Sequence, residues 1–165
     1  VITFDSTAKV LIPLTDLFSF QMLDIQARGT TSLGDALRLV SSCIDKDITL
    51  TTRETKGDWK PLVFILTDGI PTDDWEKGLA EFKTKKTGLV VACAAGSHAS
   101  VSILNKITPD VLKLDTADGL SIAMFFQWMT ASIETSSTKV TDTGNDVTTL
   151  NDLPSPPSKL NIVIY

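Results

Sequence analysis

The chain has 165 residues, which fits one domain of the usual size, about 100 to 200 residues. Apolar residues make up 42% and charged residues 21%, a composition that excludes disorder of the whole chain. Twenty acidic residues against fifteen basic ones give a net charge of −5, which argues against binding to nucleic acid or to an anionic membrane surface. No apolar run approaches the roughly 18 residues that a membrane-spanning helix needs. A cationic partner or a metal ion fits this charge better.

Two short apolar runs, VITF and KVLIPL, open the chain and are separated by the polar stretch from Asp5 to Ala8. This pattern predicts an antiparallel hairpin, in which Val1 to Phe4 pairs with Lys9 to Leu14. Because Pro13 cannot donate a ladder hydrogen bond, the second strand should lie at a sheet edge or end near it.

An amphipathic helix follows within GTTSLGDALRLVSSCI. Its N-cap position falls on Thr31 or Ser32. Apolar residues recur every three or four positions, at Leu33, Ala36, Leu37, Val40 and Ile44. The polar segment from Asp45 to Lys60 is long for a connection in a compact domain, and we expect a partly helical excursion.

Strands then alternate with helices. The apolar run from Leu62 to Leu66 predicts a strand buried on both faces, and a helix should begin near Asp73 or Asp74 with basic residues in its last turn, namely Lys83, Lys85 and Lys86. The same rhythm predicts strands at Leu89 to Ala94 and Val111 to Leu114, and helices at Val101 to Ile107 and Leu120 to Ile133. Such alternation favours an α/β fold with a mostly parallel sheet and helices on both faces.

The chain changes character near its end. From Glu134 to Lys159 it is polar and contains three prolines close together, which predicts a tail or linker. The final segment, LNIVIY, has high strand propensity, and we expect Leu160 to Tyr165 to add as a strand to an edge of its own domain or to a partner. We therefore divide the chain into a domain at residues 1–134 and a tail at residues 135–165.

The cysteines and the histidine give little indication of a disulfide, metal or catalytic site. Cys43 and Cys93 lie in apolar segments far apart in the sequence, which favours reduced core thiols and a cytoplasmic location. The single histidine, His98, is predicted to be a loop residue, because one histidine cannot build a His-rich metal site and the sequence shows no set of partners for a catalytic triad.

Two oxygen-bearing residues are the main candidates for a functional site. Ligands of open α/β sheets collect beyond the carboxyl ends of the strands, and Asp68 stands two residues after the end of the apolar run at Leu66. Thr31 stands at a helix start, where its hydroxyl either caps the helix or serves as a ligand. Asp68 alone is also explained as a turn-forming Asp-Gly. Together, Thr31 and Asp68 suggest a site for a hard cation such as Mg²⁺, to which Asp73 and Asp74 would add negative potential.

Several enzyme signatures are missing from the sequence. It contains no GxxxxGK[ST] loop, no GxGxxG after a strand and no GxSxG elbow, so nucleotide binding and serine hydrolase chemistry lose their usual support. A metal-dependent hydrolase or phosphotransfer enzyme that uses Asp68 remains as the alternative to a non-enzymatic binding module.

These motifs resemble those of a known family. GTTSLGDAL, from Gly29 to Leu37, followed by FILTDG, from Phe64 to Gly69, resembles the second and third loops of a von Willebrand factor A domain. The longer segment KGDWKPLVFILTDGIPTDDW, the opening VITFDSTAKVLIPLTDL and the Pro-rich tail resemble TerY-type proteins of the bacterial tellurium-resistance group. The resemblance covers essentially the whole chain and implies a doubly wound, Rossmann-like sheet.

The resemblance also implies a metal-ion-dependent adhesion site at the carboxyl edge of the sheet. In the family an Asp-x-Ser-x-Ser loop, a threonine and an aspartate hold Mg²⁺, for which Mn²⁺ or Ca²⁺ can substitute. The threonine corresponds to Thr31 and the aspartate to Asp68, whereas the Asp-x-Ser-x-Ser loop corresponds to nothing here. The DSTAKV segment at Asp5 lies in the hairpin and is not that loop.

The family's first strand and helix have no counterpart in this chain, which leaves the domain incomplete at its N-terminal side. That strand would lie between the strand starting at Val1 and the strand at Leu62 to Leu66. We expect either a preceding segment of roughly 45 residues, enough for one strand and one helix, or another polypeptide that supplies both; the former is favoured.

By resemblance, the chain is expected to be a protein-binding module in a cytoplasmic response to tellurite and related chemical stress. The bound ion would accept a carboxylate from a partner protein, and kinase or phosphatase components of the same system are candidate partners. The resemblance implies no catalytic residue.

Overall fold

The computed structural model describes residues 1–21, 23–25, 28–158 and 160–163. The strands are β1 (Ile2–Phe4), β2 (Ala8–Val10), β3 (Val63–Thr67), β4 (Val90–Ala95), β5 (Val111–Leu114) and β6 (Leu160–Val163). The α-helices are α1 (Leu33–Asp47), α2 (Trp75–Phe82), α3 (Val101–Ile107) and α4 (Gly119–Thr143). Two compact units result: a first unit, Val1–Asp58 with Ile70–Lys85, and a second unit, Trp59–Gly69 with Lys86–Tyr165.

The first unit contains the hairpin and two helices. Strands β1 and β2 pair antiparallel, which confirms the predicted hairpin, and they form a two-stranded sheet of their own. Strand β2 ends at Val10, three residues before Pro13, which agrees with the prediction that it ends near the proline. Helix α1 buries Leu33, Ala36 and Leu37, which confirms the predicted apolar face.

Helix α2 differs from its prediction at its C-terminal end. It begins after the N-cap Asp74, as predicted, and buries Leu79 and Phe82. It ends at Phe82, and Lys83 is already the C-cap residue. The prediction that three lysines occupy the last turn is therefore wrong, because the helix stops before them. Lys85 instead forms an ion pair with Asp45 at 2.5 Å.

The second unit contains a four-stranded sheet in the order β3-β4-β5-β6. Strands β3, β4 and β5 are parallel neighbours, which confirms the predicted parallel sheet. Strand β6 pairs antiparallel with β5, from Leu160 opposite Leu114 to Val163 opposite Val111. This pairing confirms that the terminal segment adds as a strand, although Ile164 and Tyr165 lie outside the described residues. The architecture is mixed α/β, with a three-stranded parallel sheet flanked by helices.

The core of the second unit lies between the sheet and α4. Alternate residues of β4, namely Val91, Cys93 and Ala95, belong to the same buried cluster as Phe125 and Trp128 of α4. The intervening residues of β4 are also fully buried, so β4 is covered on both faces. In β3, by contrast, only Ile65 and Thr67 are buried. Leu62, Phe64 and Leu66 are half-buried and pack against the core cluster, so the prediction that this strand is buried on both faces is confirmed only in part.

Helix α4 is longer than predicted. The sequence pattern ended the helix at Ile133, but α4 continues to Thr143, into the segment predicted as a polar tail. Hydroxyl side chains in this stretch donate to carbonyl groups four residues earlier, as in the bonds from Thr138 to Glu134 and from Thr141 to Ser137. These bonds satisfy the hydroxyl groups within the helix, and back-bonding of this kind destabilises a helix only slightly. Gly144 then ends α4 in the left-handed conformation, with φ of 67°.

The structure also shows the polar segment from Asp45 to Lys60 and the state of the two cysteines. Of the excursion from Asp45 to Lys60, only Asp45 to Asp47 is helical, and the rest forms hydrogen-bonded turns, as in the bond from Asp58 N–H to Thr49 O. Cys93 is buried and both cysteines are free thiols. Among the described residues, no helix combines the length and the apolar character needed to cross a membrane.

Candidate functional site

Thr31 lies in the first unit, directly before the N-cap of α1, and is half-buried. Its carbonyl oxygen accepts hydrogen bonds from Thr72, from the backbone N–H at 2.9 Å and from the hydroxyl at 3.4 Å. The N-cap residue is Ser32, whose hydroxyl donates to the carbonyl oxygen of Asp5 at 2.6 Å instead of capping the helix. Hydrogen bonds from other segments therefore hold the chain at Thr31 and at Ser32.

The cap of α1 comes from Asp73, in the loop before α2. One carboxylate oxygen of Asp73 accepts the N–H of Gly34 at 3.1 Å, and the other accepts the N–H of Asp35 at 2.9 Å. The first N–H groups of a helix have no partner within it, and negative charge there is favourable. The sequence analysis placed Asp73 at the start of the helix that follows it, which is α2. No local signal marks this role, because its partners lie about forty positions earlier in the chain.

Two glycines allow the helices of the first unit to approach closely. A Cβ atom on Gly34 would lie 2.7 Å from the Cα atom of Trp75 and 2.9 Å from a carboxylate oxygen of Asp73. A Cβ atom on Gly78 would lie 2.3 Å from the carbonyl oxygen of Gly34. Backbone thus packs against backbone, and the segment that carries Asp73 rests directly on the first turn of α1.

Asp74, the other acidic residue of this loop, has a different environment. Its carboxylate forms an ion pair with Lys77 at 2.5 Å, three residues on in α2. The hydrogen bond from Lys77 lowers the pKa of Asp74 below its usual value. Since both groups are exposed, this pair contributes little to stability. Asp73 and Asp74 were predicted to add potential to a metal site; here one caps α1 and the other pairs with a lysine.

Asp68 lies in the second unit, one residue beyond the end of β3, and is exposed. Thr67 before it is buried, and its hydroxyl accepts the N–H of Gly69 at 3.4 Å. The chain therefore turns directly after the strand and leaves the carboxylate in solvent. This is the position that open α/β sheets use for ligand contacts. Thr31 and Asp68 belong to different units, and their convergence on one ion stays a prediction.

The next two parallel strands also end in loops, where the sequence analysis named no site residue. After β4, Gly96 has φ of 78° and donates its N–H to the carbonyl oxygen of Leu114 at 2.9 Å. His98 follows in this loop and is exposed, with Nδ1 3.4 Å from the hydroxyl of Ser97, which confirms a loop histidine. The left-handed backbone at Gly96 lets this loop leave the strand beside the end of β5.

After β5, Asp118 is the N-cap residue of α4 and accepts the N–H of Ser121 at 2.9 Å. The hydroxyl of Thr116 also donates to its carboxylate. The hydrogen bond from Thr116, followed by those from Ser121, lowers the pKa of Asp118 to about 2. The sequence signal was an aspartate three residues before a serine at the start of an apolar helix, which is a common N-cap pattern.

Comparison of the chain with protein-family models, with curated proteins and with solved structures gives no match in any of the three. The likeness to the von Willebrand factor A family therefore stays a prediction from the motifs.

The donor set at Thr31 and Asp68 fits a hard cation chemically. A threonine hydroxyl and an aspartate carboxylate are oxygen ligands of the kind that Mg²⁺ prefers, and neither is a soft ligand. Within the described ranges, no three or more His, Cys, Asp or Glu side chains cluster as a metal site would require. These two residues would thus fill two of about six coordination positions of Mg²⁺.

Proposed function

We propose that this chain is a metal-dependent protein-binding module of the von Willebrand factor A type. In this proposal Thr31 and Asp68 hold a Mg²⁺ ion, and the ion accepts a carboxylate from a partner protein. The observation that carries it is the placement of Asp68, which is exposed immediately after β3 in a parallel sheet. Ligands of open α/β sheets bind beyond this end of the strands.

Thr31 supports the proposal from the first unit. Its backbone is fixed by the bonds from Thr72 and by the adjacent helix start. A threonine side chain is stiff at χ1, and the rotamer it adopts depends on its backbone conformation, so a fixed backbone limits the positions that the hydroxyl can take. The fixed backbone around Thr31 therefore favours a ligand role.

The chemistry of such a site is electrostatic. A magnesium ion retains water in the coordination positions that the protein does not fill. A carboxylate from a partner would replace one of these waters and gain a charge-assisted contact. Mn²⁺ and Ca²⁺ also take oxygen ligands and are alternative occupants. The Asp-x-Ser-x-Ser loop of the family is not present in these 165 residues, so we expect weak binding by this chain.

The cellular context rests on the resemblance alone. We propose a cytoplasmic role in a bacterial response to tellurite and related stress, with kinase or phosphatase components as partners. The net charge of −5 agrees with a protein partner and disfavours nucleic acid. The module itself is proposed to have no catalytic activity.

Amide chemical shifts of the isotope-labelled chain provide the test. Addition of Mg²⁺ should shift the amides of Ser32 and Gly69, and sodium acetate should then shift them again. Asp68→Asn should abolish both responses. Asp115→Asn is the matched control, since Asp115 is also exposed directly after a parallel strand, and it should leave them intact.

Two results would overturn the proposal. The first is an equal response to Mg²⁺ in the chain with and without Asp68→Asn, because the ion would then bind elsewhere. The second is Mg²⁺-dependent hydrolysis of a phosphate ester that Asp68→Ala removes, which would establish the enzymatic alternative.

A further inference from the structure

The loop at residues 72–73 holds the region around Thr31, the metal-ligand candidate that precedes α1, at two points. The N–H of Thr72 bonds to the carbonyl oxygen of Thr31 at 2.9 Å. The carboxylate of Asp73 bonds to the N–H groups of Gly34 and Asp35 at 3.1 and 2.9 Å. A single dipeptide thus contacts the chain on both sides of the N-cap Ser32.

These contacts form one connected arrangement. Asp73 uses both carboxylate oxygens, so its side chain is fixed in two directions. The carbonyl oxygen of Asp73 also accepts the N–H of Trp75 at 2.9 Å, which continues into α2. The helices then pack at Gly34 and Gly78, where a Cβ atom on Gly78 would lie 2.3 Å from the carbonyl oxygen of Gly34. Movement of Asp73 would therefore move Thr72, and with it the bond to Thr31.

The local cap that would make Asp73 dispensable is not used. Ser32 has a hydroxyl at the N-cap position, but that hydroxyl donates to Asp5 in the β1–β2 turn. The N–H groups of the first turn consequently depend on a side chain from another loop. This dependence links the start of α1 to the loop before α2.

We infer that Asp73 is a positioning residue for Thr31, an inference that rests on the proposed role of Thr31 as a metal ligand. Each carboxylate oxygen of Asp73 accepts an N–H of α1, so we assign Asp73 a positioning role and not a ligand role. Its role is to hold Thr72 against the Thr31 carbonyl and so to restrict the backbone and the χ1 angle of Thr31. A carboxylate suits this position because its two oxygens accept the two N–H groups separately, and its negative charge is favourable at a helix N-terminus.

The test compares Asp73→Asn and Asp73→Ala with the control Asp74→Asn, in the whole chain and without metal. Asparagine retains one acceptor oxygen, alanine retains none, and the control removes the same charge from the neighbouring residue. The readout is the three-bond couplings from the Thr31 methyl carbon to the backbone nitrogen and carbonyl carbon, which report the χ1 distribution. A purely stabilising helix cap would leave them unchanged in the folded chain.

We expect one dominant χ1 rotamer of Thr31 in the unmodified chain and in Asp74→Asn, and rotamer averaging in both Asp73 variants. Mn²⁺ affinity, followed by the broadening of the Ser32 amide, should fall about three- to tenfold in Asp73→Asn, and tenfold corresponds to about 1.4 kcal/mol. Unchanged Thr31 couplings in both variants would overturn the inference, as would equal averaging in the control. Absence of Mn²⁺ broadening in the unmodified chain would contradict the proposed function instead, because the couplings are measured without metal.

Discussion

Replacement of Gly78 by alanine tests how closely the helices of the first unit pack. In the interior of a helix this change normally stabilises a protein by about 0.5 to 1 kcal/mol, because glycine loses more conformational freedom on folding. Here the new Cβ atom would lie 2.3 Å from the carbonyl oxygen, 2.7 Å from the Cα atom and 2.8 Å from the carbonyl carbon of Gly34. The gain in helix propensity and the steric clash with Gly34 oppose each other. Their relative sizes decide whether Gly78→Ala raises or lowers the free energy of unfolding.

The contact with Gly34 is expected to dominate. Ordinary contacts of a Cβ atom begin at 3.4 Å, so the helices would have to separate by about 1 Å, which disrupts close packing. The obstructing atoms belong to the main chain and cannot rotate away. Overpacking of this kind costs about 1 to 3 kcal/mol. After the helix-propensity gain, we expect Gly78→Ala to lower the free energy of unfolding by about 1 to 2 kcal/mol.

Urea denaturation followed by circular dichroism measures this change, and hydrogen exchange locates it in α1 and α2. The matched control is Gly119→Ala at the first position of α4, where a Cβ atom would meet nothing within 4 Å. The control should change stability by no more than about 0.5 kcal/mol, in the favourable direction. A Gly78→Ala chain as stable as the unmodified one would refute the close packing of these helices.

Two further predictions concern the second unit. Because the Thr116 hydroxyl lowers the pKa of Asp118 to about 2, from 3.8, the stabilisation from this carboxylate is present above pH 3.8 and is lost as the pH falls through about 2. The stability difference between the unmodified chain and Asp118→Asn should therefore shrink from about pH 5 to pH 2 in urea titrations, and a constant difference would contradict it. Trp128→Phe removes the bond from the indole N–H to the carbonyl oxygen of Pro154, at 2.9 Å; it should cost about 1 kcal/mol of unfolding free energy, and no loss would mean that this bond is dispensable.

The elements that the sequence predicted well are those with a strong local pattern. The helix at Leu33 to Asp47 has apolar residues at helical spacing and a serine at its start. The strand at Val111 to Leu114 is a short apolar run between polar segments and has the predicted bounds. In both, burial of the apolar side chains agrees with local propensity, so the sequence pattern and the packing indicate the same structure.

The predictions failed where side chains from distant segments decide the structure. Helix α4 continues past Ile133 although its Ser and Thr content is typical of a loop; Ser136 in this part is buried by packing, which composition does not reveal. Its end was nevertheless marked by Gly144, a residue that often terminates helices. The coverage of β4 rather than β3 depends on strand order, which is set by tertiary pairing and not by the local run of residues.

The sequence predicted one part of the candidate site and missed another. The exposed position of Asp68 after its strand follows from the apolar run and the Asp-Gly turn. The capping role of Asp73 did not follow, because its partners Gly34 and Asp35 are about forty positions away in the chain. Local pattern predicts where a residue stands in its element, whereas a cap across two helices requires their packing to be known.

The central claim is that Thr31 and Asp68 hold the same ion, and paramagnetic relaxation by Mn²⁺ tests it most directly. Mn²⁺ added to the labelled chain should broaden the amides of Ser32 and Gly69 together, at the same concentration. Asp68→Asn should remove the broadening at both positions. Broadening at only one of them, or broadening at Ser32 that survives Asp68→Asn, would contradict a shared site.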